Sequence, residues 1–210
     1  MGKELGDFYD PQGLREYEDT KPDWLKGKWG MLSDRDILRC LEEDIIQISP
    51  LPADLEKCLN TCKLDFHLGN VFTVFKRAKA TTVELDGEIP PDFQEDIVVR
   101  DGDFFALHPG ETVLAQIKER LTLPSYVVAR VEGKSRIARR GVSIQFAALI
   151  DAGWDGHPTL EFNNNGIAIG LLRPAQAVGS FSFELLTSPA LFPYAKKRTS
   201  TFKDQGVPRF

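Results

Sequence analysis

The chemistry-bearing residues of this chain crowd into one stretch, Val131 to Asn165, which reads VEGKSRIARRGVSIQFAALIDAGWDGHPTLEFNNN. Its first part is basic: Lys134, Ser135, Arg136, Arg139 and Arg140 cluster in a chain whose formal net charge is -5. Lysine meets a phosphate as a point charge, and arginine meets it as a fork. Gly133 permits close backbone approach. The spacing is not GxxxxGK[ST], so the Gly-Lys-Ser triplet is no P-loop. The same residues also suit a solvated charged helix or loop.

The second part is an acidic turn, Ile150-Asp151-Ala152-Gly153-Trp154-Asp155-Gly156. An Asp that leaves a buried apolar run, here Ala147 to Ile150, can hold a sugar hydroxyl or activate water. A nearby Trp can stack on a base or sugar. Equally, Asp151 can cap its own turn and Trp154 can fill core. The third part is Thr159-Leu160-Glu161-Phe162-Asn163, where polar and apolar residues alternate with period two. Leu160 and Phe162 then face a core, and Glu161 shares the other face with Thr159 and Asn163. Open to water, Glu161 is ordinary; lining a pocket, its carboxyl is pushed up and becomes a candidate proton shuttle.

These three parts need a scaffold. The 210 residues suit one domain with a real core. Composition, 42% hydrophobic and 27% charged, is that of a soluble globular protein. A pI near 5.3 argues against a nucleic-acid polymer as partner and suits a small polyanion gripped by a local basic cluster. No apolar run approaches a membrane span, and the N-terminus has no apolar signal core. Three cysteines, Cys40, Cys58 and Cys62, read as reduced cytosolic thiols. The scattered His67, His108 and His157 provide no zinc-ligand spacing.

Residues 1–30 are polar and read as an extension or docking arm, with Trp24 and Trp29 as anchors. Ser33 caps a helix over 34–43 that carries Ile37, Leu38 and Leu41 on one face. Residues 45–48 read as a short strand, and 54–62 as a short helix or loop. From Leu64 onward short apolar runs recur: 64–68, 71–75, 97–99, 104–107, 112–117, 127–131, 142–146, 159–162, 167–172 and 180–185. Gly, Pro, Asn or Asp mark most gaps, as in a β-sandwich or barrel. The interval 81–95, with Pro90-Pro91, reads as a loop. The cationic tail, 194–210, reads as a flexible lid or a simple terminus.

Taken in order, GKSRIARRG, IDAGW and TLEFNN resemble the dCTP deaminases of the dUTPase-like superfamily, whose usual wording is close to GKSSLARLG, IDPGW and TLEFxN. The resemblance covers roughly residues 31 to 206. It includes LSDRDI at 32–37, LDFHLGN at 64–70, FALHPGE at 105–111 and SPALFPY at 188–194. It implies a mainly β, dUTPase-like distorted barrel or jelly roll with a few short helices, spanning 31–193. The implied activity is zinc-independent hydrolytic deamination of dCTP to dUTP and ammonia, within deoxynucleotide metabolism in the cytoplasm. Zinc-dependent nucleobase deaminases carry H-x-E and P-C-x-x-C, and neither motif occurs here.

By resemblance, Glu161 is the general acid/base, while Ser135 and Arg139 position water and stabilise charge. Lys134, Ser135, Arg136 and Arg139 bind the triphosphate, with Mg²⁺ as its counter-ion. Asp151 holds the 3′-hydroxyl with Trp154 packed nearby, and backbone at Thr159 and Leu160 reads the pyrimidine edge. Tyr194 and Gln205 belong to the closing tail. The resemblance also implies a homotrimer with sites between subunits. This sequence departs from the family at Arg136, at Ala152, at Thr201 where a tail lysine is usual, and in a one-residue shorter Gly141–Asp151 segment. Two alternatives remain open: a bifunctional deaminase/dUTPase forming dUMP, and a catalytically inactive nucleotide-sensing or protein-binding trimer.

Overall fold

The computed structural model describes residues 20–76, 82, 90–144 and 149–196. The first elements are β1 (Gly30–Met31), α1 (Asp34–Glu42), β2 (Gln47–Ser49), α2 (Leu55–Cys58), β3 (Leu59–Asn60) and β4 (Lys63–Phe75). Next come β5 (Gln94–Val98), β6 (Phe105–Leu107), β7 (Thr112–Ile117), β8 (Arg120–Thr122) and β9 (Val127–Gly133). The last are α3 (Ser135–Ala138), β10 (Val142–Ser143), β11 (Leu149–Ile150), β12 (Asp155–Gly156), β13 (Thr159–Asn164), β14 (Gly170–Leu172) and β15 (Ala177–Leu185). The mainly β expectation holds, and the helices are short.

The main sheet runs β10-β13-β7-β4-β15-β9-β11, with β1 also paired to β15 and with β3 and β5 also paired to β4. Small sheets β12-β8-β2 and β14-β6 complete the architecture. The 13-residue β4 serves both halves. Its first part pairs with β15 (Asp65↔Ser180, Leu64↔Phe181), and its second part pairs with β7 and β5. The sequence pattern predicts two runs here, split at Gly69-Asn70. The chain instead continues through Gly69, with an irregular register between Leu68 and Phe72. A Cβ at Gly69 would lie 2.7 Å from the Gln116 carbonyl oxygen, so the missing side chain lets β7 come close.

The sheet curls, and the chain itself requires it. Only residues 134–141 separate β9 from β10, yet these strands lie five steps apart in the sheet. Five flat steps at ~4.8 Å would need about 24 Å. Backbone bonds from Arg139, Arg140 and Gly141 to Ser135, Ile137 and Ala138 keep the connection coiled. Coiled residues rise ~1.5–2 Å each, so the link reaches only about 15 Å. The sheet bends into a half-barrel around Phe66, Phe72, Phe162, Phe181 and Phe183, all fully buried. Phe66 meets Phe181 at 4.6 Å between centroids, and Phe72 stacks on Phe105 at 4.7 Å.

The Ser33 hydroxyl accepts from the Asp36 amide at the start of α1, as its position predicts. Ile37 and Cys40 are fully buried on α1, while Leu38 and Leu41 are half-buried. Ahead of α1, Leu25 is fully buried and the Trp24 indole donates to Glu43 at 2.8 Å beneath the Arg39 guanidinium. Trp29 is exposed.

Candidate active site

Strand β9 ends at Gly133 and hands the basic segment to α3. The Lys134 amide donates to Val178 O, the last link to the sheet, and the Lys134 carbonyl accepts from Ile137 and Ala138 to open the helical turn. Ile137 buries its side chain and pins the turn to the core. Ser135 and Arg139, four apart, share one exposed face. Among the described residues their side chains have no hydrogen-bond or ion-pair partner. The Lys134 ammonium does have one: it lies 2.5 Å from Asp65 Oδ2 on β4. Arg136 donates to Ala177 O at 2.8 Å, and Arg140 donates to the Arg136 carbonyl. Both arginines line a cavity of about 700 Å³ whose apolar wall includes Val142, Ile169 and Leu171.

The connection returns to β13 at Gly141. Its φ is +84°, and a Cβ there would lie 2.5 Å from Gly166 Cα. Asn165 N–H donates to the Gly141 carbonyl, and β10 then pairs Val142↔Asn164 and Ser143↔Asn163. The basic segment and Glu161 thus belong to opposite flanks of the sheet, with β7, β4 and β15 between β13 and β9. They are joined along the chain through the ends of β10 and β13.

On β13 the predicted alternation is present. Leu160 and Phe162 are buried, while Thr159, Glu161 and Asn163 are half-buried on the other face. Backbone at Thr159 and Leu160 sits in the ladder with β7 (Thr159↔Gln116, Leu160↔Ala115). The strand is locked at its end by Asn164, which is fully buried. Its amide donates to Leu107 O and Ala168 O, both at 2.9 Å, and its carbonyl oxygen accepts from Gly166 N at 2.9 Å. The backbone of Asn164 also clasps the HPGE turn, through Gly110 N and Glu111 O.

The acidic turn and the start of the tail come together. Gly153, at φ +79°, lets the turn pass under Pro193. Tyr194 N donates to Ala152 O at 2.8 Å, and the Tyr194 and Trp154 rings lie 4.8 Å apart. Trp154 also donates from its indole to Gly156 O. Asp151 is exposed beside this pair. Asp155 takes a two-pronged grip from Arg120 at 2.9 and 2.7 Å, plus the Thr122 hydroxyl. Chiefly through the Arg120 bond, its carboxyl is held below the usual carboxylate range. Gln205 lies outside the described residues.

Three polar residues missed by the sequence reading organise this region: Asp65, Asn164 and Glu119. Glu119 is buried in the β7–β8 turn and accepts from His67 N at 2.9 Å, with His67 Nδ1 2.6 Å away. Asn164 had a signal, the final Asn of TLEFNN. Among the described residues no group of three or more His, Cys, Asp or Glu is placed to hold a metal ion. No helix among them is long and apolar enough to cross a membrane.

Residues 31–186 match the family described as dCTP deaminase-like. The dCTP deaminase of Thermomicrobium roseum is 39% identical over 181 residues, which cover 85% of this chain and 91% of that protein. The dCTP deaminase of Actinobacillus pleuropneumoniae serotype 5b is 39% identical over 182 residues, 83% of this chain and 93% of that protein. The crystal structure of 2′-deoxycytidine 5′-triphosphate deaminase from Agrobacterium tumefaciens superposes with a TM-score of 0.58 at 19% identity, over 75% of this chain. The superposition spans 49% of that crystallised chain and speaks to the fold alone.

Proposed function

This chain belongs to the dCTP deaminase-like family, and on that premise we propose that it hydrolyses the 4-amino group of dCTP to give dUTP and ammonia. The observation that carries the reading is the near-full-length similarity to dCTP deaminases at 39% identity. The half-buried position of Glu161 on a locked strand supports its role as the general acid/base. Glu161 takes a proton from water as the water oxygen bonds to C4. It passes that proton to N3 of the ring. Glu161 then moves the proton of the new C4 hydroxyl to N4, the C4–N4 bond breaks, N4 leaves as ammonia, and the C4 carbonyl of uracil remains.

Ser135 and Arg139, on one face of α3, orient the water and stabilise the developing charge, and Arg139 and Arg136 receive the triphosphate with its Mg²⁺ counter-ion. Asp151 holds the deoxyribose 3′-hydroxyl beside Trp154. Backbone of Thr159 and Leu160 reads the pyrimidine edge, and a tail beginning at Tyr194 and including Gln205 closes the site. The exposed face that Ser135 and Arg139 share on α3 supports a site completed between copies, and we assign a homotrimer acting in the cytoplasm.

The test is incubation of the purified protein with dCTP, CTP, dCMP and dUTP, assaying ammonia and pyrophosphate. Ammonia from dCTP without pyrophosphate is expected. Pyrophosphate appearing with ammonia would make the product dUMP, and no ammonia from any cytosine nucleotide overturns the reading.

A further inference from the structure

Lys134 stands where a phosphate-gripping cation is expected, yet its charge is already engaged. Its Nζ lies 2.5 Å from Asp65 Oδ2, with the two side chains only 23% and 10% exposed. Asp65 is held from two further directions. Its Oδ1 accepts from the Ser180 hydroxyl at 2.7 Å and from Asn60 Nδ2 at 3.4 Å. The carboxylate therefore ties together β3, β4, β15 and the residue that opens α3. The position of Lys134 explains why such a tie matters. Its own N–H makes the last bond to β15, and its carbonyl starts the helical turn that carries Ser135 and Arg139. β15 pairs Gly179 with Gly133 and Ser180 with Glu132, so the Asp65–Lys134 link crosses the sheet where β9 ends. An ion pair largely withdrawn from water is costly to break from one side, because the remaining charge is left buried.

We propose that Asp65 is a positioning residue for the deamination site, acting through Lys134. The pair fixes the angle at which α3 leaves the sheet and so sets where Ser135 and Arg139 point. Lys134 is then an anchor and not a free phosphate-binding cation. The inference rests on the functional reading above for the importance of Ser135 and Arg139.

The variants Asp65→Asn, Lys134→Met and the double change test it. Steady-state kinetics with dCTP are measured alongside amide hydrogen exchange of a peptide spanning 133–141. Each single variant should lower kcat on the order of ten- to a hundredfold, as misplacement of reacting groups by about 1 Å does, with KM little changed. The double variant should fall no further than the worse single, because both remove the same link. Lys134→Arg, which can keep the pair, should recover most of the rate. Exchange across 134–139 should quicken in Asp65→Asn while β7 and β13 stay protected.

A raised KM in Lys134→Met with kcat intact, together with an unchanged or lower KM in Asp65→Asn, would mark Lys134 as a free phosphate cation and overturn the proposal. Additive losses or unchanged exchange would do the same. If Asp65→Asn does not fold, Ser180→Ala, which removes one bond to Asp65, should shift kcat and exchange in the same direction by less; no shift overturns the proposal. Should the unaltered protein release no ammonia, the functional reading fails, while the exchange data still decide whether the tether exists.

Discussion

Removing the side chain of Asn164 should cost the protein far more than one ordinary hydrogen bond. The residue is 0% exposed, and its amide serves Leu107 O, Ala168 O and Gly166 N at once. In Asn164→Ala two carbonyls and one N–H lose that partner. An orphaned buried group costs ~1–3 kcal/mol, and a carbonyl that keeps another partner sits at the low end, so the sum is about 3 kcal/mol. For a domain of this size ~1 kcal/mol shifts Tm by about 2–4 °C, which gives a fall of roughly 6–12 °C. Asn164→Asp keeps the shape and the bond from Gly166, but sets a carboxylate oxygen against two carbonyl oxygens. It should be worse at neutral pH. Burial raises the folded-state pKa of such a carboxyl above its unfolded value. The penalty is then relieved as pH falls, and the gap to the unaltered protein should narrow from pH 8 to pH 5. Thermal unfolding followed by circular dichroism reads both effects. A Tm for Asn164→Ala within 2 °C of the unaltered protein, or an Asn164→Asp gap independent of pH, would refute this account of how β13 is held.

Glu161→Gln should keep the fold and dCTP binding but lose ammonia release on the order of a hundred- to ten-thousandfold; activity within a few-fold of normal, read by an ammonia-coupled assay, counts against the proton-shuttle role. Asp155, held low mainly by Arg120, should contribute stability above the usual carboxylate range and lose it as pH falls through its depressed pKa. Because this pair is about half exposed, Asp155→Asn should flatten the acid limb of a Tm–pH curve by no more than ~1 kcal/mol. Burial, with lesser help from Asp36 and Glu43, pushes the Cys40 thiol up to about 12, so timed alkylation and mass spectrometry of the native protein at pH 8 should label the half-buried Cys62 first and Cys40 last.

What could be read in advance was what depends on near neighbours in the chain. The Ser33 cap needs only Asp36, three residues on, and α1 begins where that pair places it. The alternation at 159–163 shows which side chains of β13 face the core, because a strand's period is local. The family wording adds the order of the motifs, and the curled β architecture agrees with it. What escaped lies across the chain. Asp65 finds Lys134 69 residues away, and nothing in LDFHLGN announces that partner. Glu119 sits in Lys118-Glu119-Arg120, which looks like a solvated turn, yet the fold buries it on His67. The two-residue strands β11 and β12 are too short to show any period. Gly69-Asn70 looks like a turn because the close approach that makes use of Gly69 comes from β7, about 47 positions later.

The double membership of β4 has a mechanical consequence. Its first half pairs with β15 and its second half with β7 and β5, so neither half of the curled sheet can melt and leave the other with an intact centre. Flanks such as β11 can fray alone, but loss of β4 removes the middle of both halves together. The protein's resistance to unfolding is therefore shared by the two halves as one cooperative unit.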